Sequence, residues 1–154
     1  MSLCCDVLSA LQGKTLVTAE SLTGGGIGAA VTEVSGASAV YKGGIISYTN
    51  EVKHKILGVP SETLSKYGAV SGPTARAMAE GARKILNADI AVSVTGLAGP
   101  AGDEFGNPVG TVFIGYSDSE TTVVKHCHFS GDRESIRNQT VEEALRLVLS
   151  KQKA

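Results

Sequence analysis

The sequence predicts an α/β protein built on a mixed, mostly parallel sheet of about five strands. Helical and strand patterns alternate over the first 95 residues, which is typical of strand–helix–strand units in a parallel sheet. The last two strand patterns are separated only by the polar stretch SDSE, so they must form a hairpin, and at least one strand runs antiparallel to the others. Segments with apolar residues at helical spacing supply helices that lie flat on this sheet.

Five apolar segments rich in β-branched residues have the pattern of strands, at 15–18, 44–48, 90–94, 109–116 and 121–129. A helix is expected in the alanine-rich segment IGAAVTEV that follows the first strand. Two more are expected at 75–86 and 141–149, where apolar residues recur three or four positions apart. Small residues in these helices allow close packing against the sheet.

Composition limits the class of protein. The chain has 154 residues, 42% of them hydrophobic, which is enough for the core of a single domain that we place at residues 1–154. Its 14 Lys and Arg balance 15 Asp and Glu without a block of like charge, and only 5% of residues are aromatic, so we expect no nucleic-acid partner. Three cysteines form no disulfide framework, and neither a signal peptide nor a run of about 18 apolar residues occurs. We therefore expect a reduced, cytoplasmic protein without membrane contact.

The stretch TAESLTGGG is the first that can carry chemistry, because a predicted strand leads into a helix across it. Ser21 lies at this turn, and two interpretations stay open: a helix N-cap or a nucleophile. Thr23 can cap the helix instead, which would leave the Ser21 hydroxyl free. Glycines such as Gly24 and Gly25 let backbone N–H groups approach an anion or a reacting carbonyl closely.

In YTNEVK, Tyr48 is expected to end a strand, Asn50 to cap the next helix, and Lys53 to occupy the third helical position. The positive end of the helix dipole disfavours an ammonium at that position. The dipole and partial burial would lower the pKa of Lys53 and let it act as a base. A solvated surface lysine is the alternative.

TGLAGP begins at the end of the predicted strand 90–94, on the edge where such sheets bind ligands. The backbone N–H groups of Thr95, Gly96, Ala98 and Gly99 can form a cradle for an anion or an oxyanion. A tight glycine turn without a ligand is the alternative.

GDRESIR places Arg133 and Arg137 one turn apart on a predicted helix that Asp132 caps. Two arginines at this spacing can clamp a phosphate, or they can pair with surface acids such as Glu134. In the HCH segment at 126–128, the two histidines share one face of a strand and the cysteine takes the other. No carboxylate cluster completes a metal site there, so we expect structural roles and no bound metal.

Together, in this order and spacing, these stretches resemble the CinA C-terminal domain family. The resemblance covers about residues 14–149 and includes AESLTGG, Y-x-N-x-x-K followed by LGV, YGAVS, VTGLAGP with PVGTV, and GDR-x-x-IR. It implies a three-layer α/β/α fold and the family's known activity, deamidation of nicotinamide mononucleotide to nicotinate mononucleotide and ammonia. Larger members carry an N-terminal domain that resembles molybdopterin-binding proteins, and we expect this chain to lack any second activity of that domain.

The resemblance also implies a metal-independent serine hydrolase without a cofactor, in which Ser21 is the nucleophile and Tyr48 and Lys53 assist. The residues expected to contact substrate are Thr23, Gly24, Gly25, Asn50, Thr95, Gly96, Ala98, Gly99, Arg133 and Arg137. Two alternatives stay open: a module that binds a nucleotide without turnover, and an interaction protein for competence or recombination. We further expect a homo-oligomer.

Overall fold

A five-stranded sheet forms the centre of the molecule. The computed structural model describes residues 2–152, so the predicted domain of residues 1–154 includes three positions outside the described range. Within 2–152 the strands are β1 (Leu16–Glu20), β2 (Tyr41–Ile46), β3 (Ile90–Gly96), β4 (Thr111–Ser117) and β5 (Thr122–His128). They lie side by side in the order β2-β1-β3-β4-β5.

The sheet is mixed and mostly parallel, as predicted. β1 pairs in parallel with both β2 and β3, whereas β4 pairs antiparallel with both β3 and β5. Among the described strands, β4 therefore runs against the other four. The predicted hairpin joins β4 to β5, and its turn is held by Asp118 Oδ1, which accepts hydrogen bonds from the backbone N–H groups of Glu120 and Thr121.

The prediction for β2 was wrong in its bounds: the strand starts at Tyr41, three residues early, and ends before Tyr48. A pair of glycines hides the strand pattern in the sequence. Gly44 is required there because a Cβ would lie 2.2 Å from Thr18 Oγ1 on β1. Tyr48 consequently lies in the loop after the strand. The other four strands agree with prediction to within two residues at each end.

Helices cover both faces of the sheet. Within the described range they are α1 (Leu3–Ala10), α2 (Gly26–Thr32), α3 (Asn50–Lys55), α4 (Ser61–Tyr67), α5 (Gly72–Ile85) and α6 (Arg133–Ser150). α5 and α6 confirm the two predicted packing helices. α5 packs against β1, β3, β4 and β5, while α6 packs against β3 and β4 together with α1 and α2. None of the helices in 2–152 is long and apolar enough to span a bilayer.

Burial along β3 shows why three layers form. Val92 and Val94 belong to the core shared with α1, α2 and α6, whereas Ala91, which precedes Val92, belongs to the core shared with α5. Because successive side chains of a strand point to opposite faces, a strand that is apolar on both faces needs helices on both sides. The three-layer α/β/α fold is thereby confirmed. The parallel strands β2, β1 and β3 end at one edge, where the loops with candidate site residues meet.

Candidate active site

A serine and a lysine meet at the end of β1. Ser21 follows the last residue of that strand, and Lys53 reaches it from α3: Lys53 Nζ lies 2.9 Å from Ser21 Oγ. Both side chains are buried, with 1% of Lys53 and 6% of Ser21 exposed. The sequence predicted these two residues as partners, and the fold brings them to hydrogen-bond distance across 32 positions of the chain.

The surroundings of Lys53 favour an uncharged amine. Lys53 Nζ donates to the carbonyl oxygens of Ser47, at 2.8 Å, and Tyr48, at 3.5 Å, and no carboxylate within the described residues forms an ion pair with it. Burial without a counter-charge lowers the pKa of Lys53 from 10.5 to about 8. A neutral amine has two N–H donors for the two carbonyls, and its lone pair can then accept the Ser21 proton.

The predicted start of α3 was wrong by one residue. Thr49 is the N-cap, since its hydroxyl accepts from the backbone N–H of Val52, and Asn50 is the first helical residue. Lys53 therefore occupies the fourth helical position and not the third. Burial lowers the pKa of Lys53 in the predicted direction, and no contribution of the helix dipole is needed for that shift.

Neither residue predicted as a cap of α2 has that role. The N-cap is Gly25, whose φ of 101° is in the left-handed region that glycine adopts without strain, and it makes no side-chain cap. Gly24, with φ of 59°, precedes Gly25 in the same tight turn. Thr23 donates its hydroxyl to Glu20 Oε1 at 2.7 Å. The Ser21 hydroxyl is thus free of capping and directed at Lys53.

Sequence reasoning missed Glu20. This side chain is 2% exposed and accepts hydrogen bonds from the backbone N–H groups of Ile27, at 2.8 Å, and Gly28, at 3.0 Å. It takes the place of the missing cap of α2. A signal was present, because a helix that begins with a run of glycines has no side-chain cap of its own, and an acid stands four residues before the first of these glycines.

A cavity of about 380 Å³ opens onto Ser21 and Lys53. Its wall includes Tyr48 and the loop Thr95 to Ala101, which carries the predicted Thr95, Gly96, Ala98 and Gly99. Thr95 uses its hydroxyl to bind the Ala69 carbonyl, at 2.7 Å. Among residues 2–152, no hydrogen bond uses the backbone N–H groups of Leu22, Ala98 or Gly99. All three residues line the cavity.

The two predicted arginines bind different parts of the site. Arg133 lines the cavity, where it donates to the Gly99 carbonyl at 2.5 Å and to the Tyr48 hydroxyl at 3.2 Å. Arg137 donates to the carbonyls of Leu22, at 2.9 Å, and Thr23, at 3.1 Å, and so holds the turn after Ser21. The structure does not direct both guanidinium groups at one ligand position, and in the described chain neither forms an ion pair with Glu134.

A second cavity, of about 710 Å³, adjoins the first, and both are lined by Ala69, Val70 and Leu97. Asn50 lies on this second cavity and not beside Ser21. Gly24 and Gly25 line neither of the two. The predicted site residues therefore divide into those on the reactive cavity, those that shape the turn of Ser21, and Asn50 on the adjoining cavity.

In the HCH segment, the two histidines are exposed and Cys127 is buried, which confirms the predicted alternation of faces. His126 stacks on Phe113 with ring centroids 4.3 Å apart, and Cys127 is buried in the core on the opposite face of β5. Within the part of the chain that the structure describes, no group of three or more His, Cys, Asp or Glu side chains is placed to hold a metal ion.

The fold and the site define a class: three-layer α/β proteins with a buried serine–lysine pair at the carboxyl end of a parallel strand. Residues 3–152 match the family model described as the CinA C-terminal domain. The chain belongs to this family.

Relatives of known sequence and structure agree with this membership. A CinA-like protein of Endomicrobium trichonymphae is 48% identical over 153 residues, which are 95% of this chain and 36% of that protein. A CinA-like protein of Geobacter sulfurreducens is 46% identical over 87% of this chain and 32% of its own length. The chain thus spans about a third of the curated relatives it matches. The crystal structure of competence/damage inducible protein CihA from Agrobacterium tumefaciens superposes with a TM-score of 0.94 at 38% identity, covering 98% of this chain and 94% of that one.

Proposed function

We propose that this domain is an amidohydrolase that converts nicotinamide mononucleotide and water into nicotinate mononucleotide and ammonia. The observation that carries the proposal is the contact of 2.9 Å between Ser21 Oγ and Lys53 Nζ, made in a buried site where the lysine lacks a counter-charge. A serine becomes nucleophilic when a positioned base takes its proton, and a lysine with a pKa of about 8 can be that base near neutral pH. The family resemblance supplies the choice of substrate.

The chemistry follows from the contacts of the pair. Lys53 takes the Ser21 proton as Oγ attacks the carboxamide carbon, and the resulting ammonium returns a proton to the departing amine, so that ammonia leaves and an acyl-enzyme remains. Water then gives a proton to Lys53 and attacks the ester, and the lysine ammonium returns this proton to the departing Ser21 oxygen. Ser21 and neutral Lys53 are thereby restored, and the product acid loses its proton to solvent as the carboxylate is released. The unpaired N–H groups of Leu22 and Ala98 are the donors we assign to the oxyanion.

The remaining contacts fit a phosphorylated substrate. Arg133 offers a permanent positive charge at the wall of the reactive cavity, beside the half-exposed Tyr48 ring, and we assign the substrate phosphate to it. Arg137 is engaged with two carbonyls of the Ser21 turn, so its phosphate contact stays a prediction. The proposal includes no metal, cofactor, nucleic acid or membrane, and it places a homo-oligomer in the cytoplasm.

Ser21→Ala tests the proposal directly. With nicotinamide mononucleotide as substrate, we expect ammonia release to fall by more than about a thousandfold, because a methyl group cannot attack a carbonyl. Folding should be nearly intact, since Ser21 caps no helix and loses one hydrogen bond, worth about 1 kcal/mol or about 2–4 °C in melting temperature.

Calorimetric binding measured beside ammonia release separates the alternatives. A wild-type domain that binds the mononucleotide in a calorimeter without releasing ammonia would be a binding module. Retained turnover in Ser21→Ala would reject the serine mechanism. The matched control is Ser135→Ala, which removes a hydroxyl from the first turns of α6 outside the reactive cavity.

A further inference from the structure

The carboxylate of Glu20 is placed to control Ser21. It is 2% exposed and accepts three hydrogen bonds, from Thr23 Oγ1 at 2.7 Å and from the backbone N–H groups of Ile27 and Gly28. No cation in residues 2–152 forms an ion pair with it. Burying a carboxylate without a cation costs desolvation free energy, and the hydrogen bonds from these three donors offset that cost.

The three donors belong to one segment. The chain leaves β1 at Glu20, turns through Ser21 to Gly25, and returns at Ile27 and Gly28 to the carboxylate it started from. Hydrogen bonds to the Glu20 side chain thereby close residues 20–28 into a ring, in which Ser21 directly follows Glu20. A shift of the carboxylate would move the start of α2 and the Ser21 backbone relative to each other.

Glu20 also connects to the lysine through its main chain. Its carbonyl oxygen accepts from the Ser47 N–H at 2.8 Å, and the Ser47 carbonyl in turn accepts from Lys53 Nζ at 2.8 Å. Residue 20 is thus common to the contacts that hold Ser21 and those that hold Lys53.

We propose that Glu20 is a positioning residue of the amidase site, whose carboxylate keeps Ser21 Oγ at hydrogen-bond distance from Lys53 Nζ. The inference rests on the proposed function for its kinetic readout. Glu20 lines neither of the two cavities beside the site, and it acts through Ser21. Both carboxylate oxygens are needed, because Oε1 accepts from Thr23 and Ile27 while Oε2 accepts from Gly28.

The test is Glu20→Gln, which keeps the shape but directs an amide NH₂ at a backbone N–H donor. We expect kcat to fall by about 100-fold, the loss that a displacement of about 1 Å can cause, with little change in KM. The pH at which kcat/KM is half-maximal should stay near 8, because burial and not the Glu20 charge sets the pKa of Lys53. Thr23→Val removes one of the three bonds and keeps the charge, so a smaller loss in the same direction is expected even if the first variant folds poorly.

The matched control is Thr32→Val, which removes hydrogen bonds to the carbonyls of Gly28 and Ala29 at the far end of α2 and should leave kcat unchanged. A general loss of helix stability would lower kcat in all three variants and overturn the inference. So would wild-type kcat in Glu20→Gln.

Labelling of Ser21 by a fluorophosphonate gives a readout that does not require turnover of the mononucleotide, with Ser21→Ala as the blank. We expect slower labelling in Glu20→Gln and unchanged labelling in Thr32→Val. If the wild type releases no ammonia but its labelling depends on Glu20, the proposed function fails and the positioning role stands. If ammonia is released and Glu20→Gln matches the wild type in both assays, the positioning role fails alone. A wild type whose Ser21 does not label at all overturns the positioning role, since Ser21 is then not activated.

Discussion

Lys53 is the residue on which the proposed chemistry depends most, because solvation of its charge and burial of its side chain oppose each other. A charged ammonium would be better solvated outside the protein, yet the fold holds this side chain almost fully buried beside carbonyls and a hydroxyl. Burial therefore raises the fraction of uncharged lysine at neutral pH, at the cost of folding stability. The proposed role of Ser21 as nucleophile depends on its position relative to this amine.

The first residue-scale prediction concerns pH. Only neutral Lys53 can accept a proton, so kcat/KM should rise with pH, reach half its maximum near pH 8, the pKa to which burial lowers this lysine, and level off about one pH unit higher. Lys53→Arg should be nearly inactive at every pH, because a guanidinium does not deprotonate in proteins. Substantial activity in Lys53→Arg, measured as ammonia release from pH 6 to 10, would show that the residue acts through its positive charge.

The second concerns the two arginines. Arg133 lies on the reactive cavity, so Arg133→Ala should raise KM for nicotinamide mononucleotide more than it lowers kcat. The preference of the enzyme for the mononucleotide over the dephosphorylated nucleoside should become smaller. Arg137→Ala should instead lower kcat for both substrates, since it holds the Leu22 and Thr23 carbonyls. Kinetics with the two substrates separate these effects. An unchanged preference in Arg133→Ala would place the phosphate elsewhere.

At the scale of elements, the site depends on how closely α5 approaches the segment after α3. Gly81 on α5 lies against the main chain of Leu57, where a Cβ would come within 1.9 Å of the Leu57 carbonyl oxygen. Leu57 follows α3 closely, and the Lys53 carbonyl also accepts from the Val59 N–H. The contact therefore helps to fix the helix that carries the lysine.

Gly81→Ala should destabilise the domain by about 3 kcal/mol and reduce activity, because backbone at this contact must move. Gly72→Ala at the start of the same helix is the control. A Cβ there would lie 3.8 Å from Val124 Cγ1, an ordinary contact, so stability should not fall. Chemical denaturation of both variants measures the difference. Equal stability of the two would mean that α5 can move away from Leu57 without cost.

Particular elements show how far sequence reasoning reached. Apolar periodicity located α5, α6 and four strands, because those elements bury one face or both faces regularly. β2 was misplaced because two glycines interrupt its strand pattern, and one of them, Gly44, is dictated by a tertiary contact with Thr18. The start of α3 was misplaced because Thr49 and Asn50 are both good caps. Glu20 was overlooked because its partners lie up to eight residues away and depend on a left-handed turn.

At the scale of the whole molecule, the ionisation of Lys53 affects the folding stability of the domain. The unfolded chain holds the Lys53 proton until pH 10.5, whereas the folded chain releases it near pH 8. Between these values the unfolded state binds more protons, so the stability of the folded state rises with pH, by an amount on the order of 3 kcal/mol. Below pH 8 the whole domain carries this penalty.

Lys53→Met should remove the penalty. We expect this variant to be inactive and more stable than the wild type at pH 7, and its advantage should shrink steadily between about pH 8 and pH 10.5. Free energies of unfolding in urea, measured for both proteins across this range, give the comparison. Curves that stay parallel would contradict a lowered pKa in the folded state.

The burial of Lys53 bears on how such a domain would respond to directed evolution. A library screened only for survival of a heat challenge would enrich replacements of residue 53 by apolar side chains, and the selected variants would lack the proposed base. Retention of this lysine therefore requires selection on turnover. An engineer who seeks a heat-resistant catalyst from this scaffold should hold position 53 fixed and vary the sequence elsewhere.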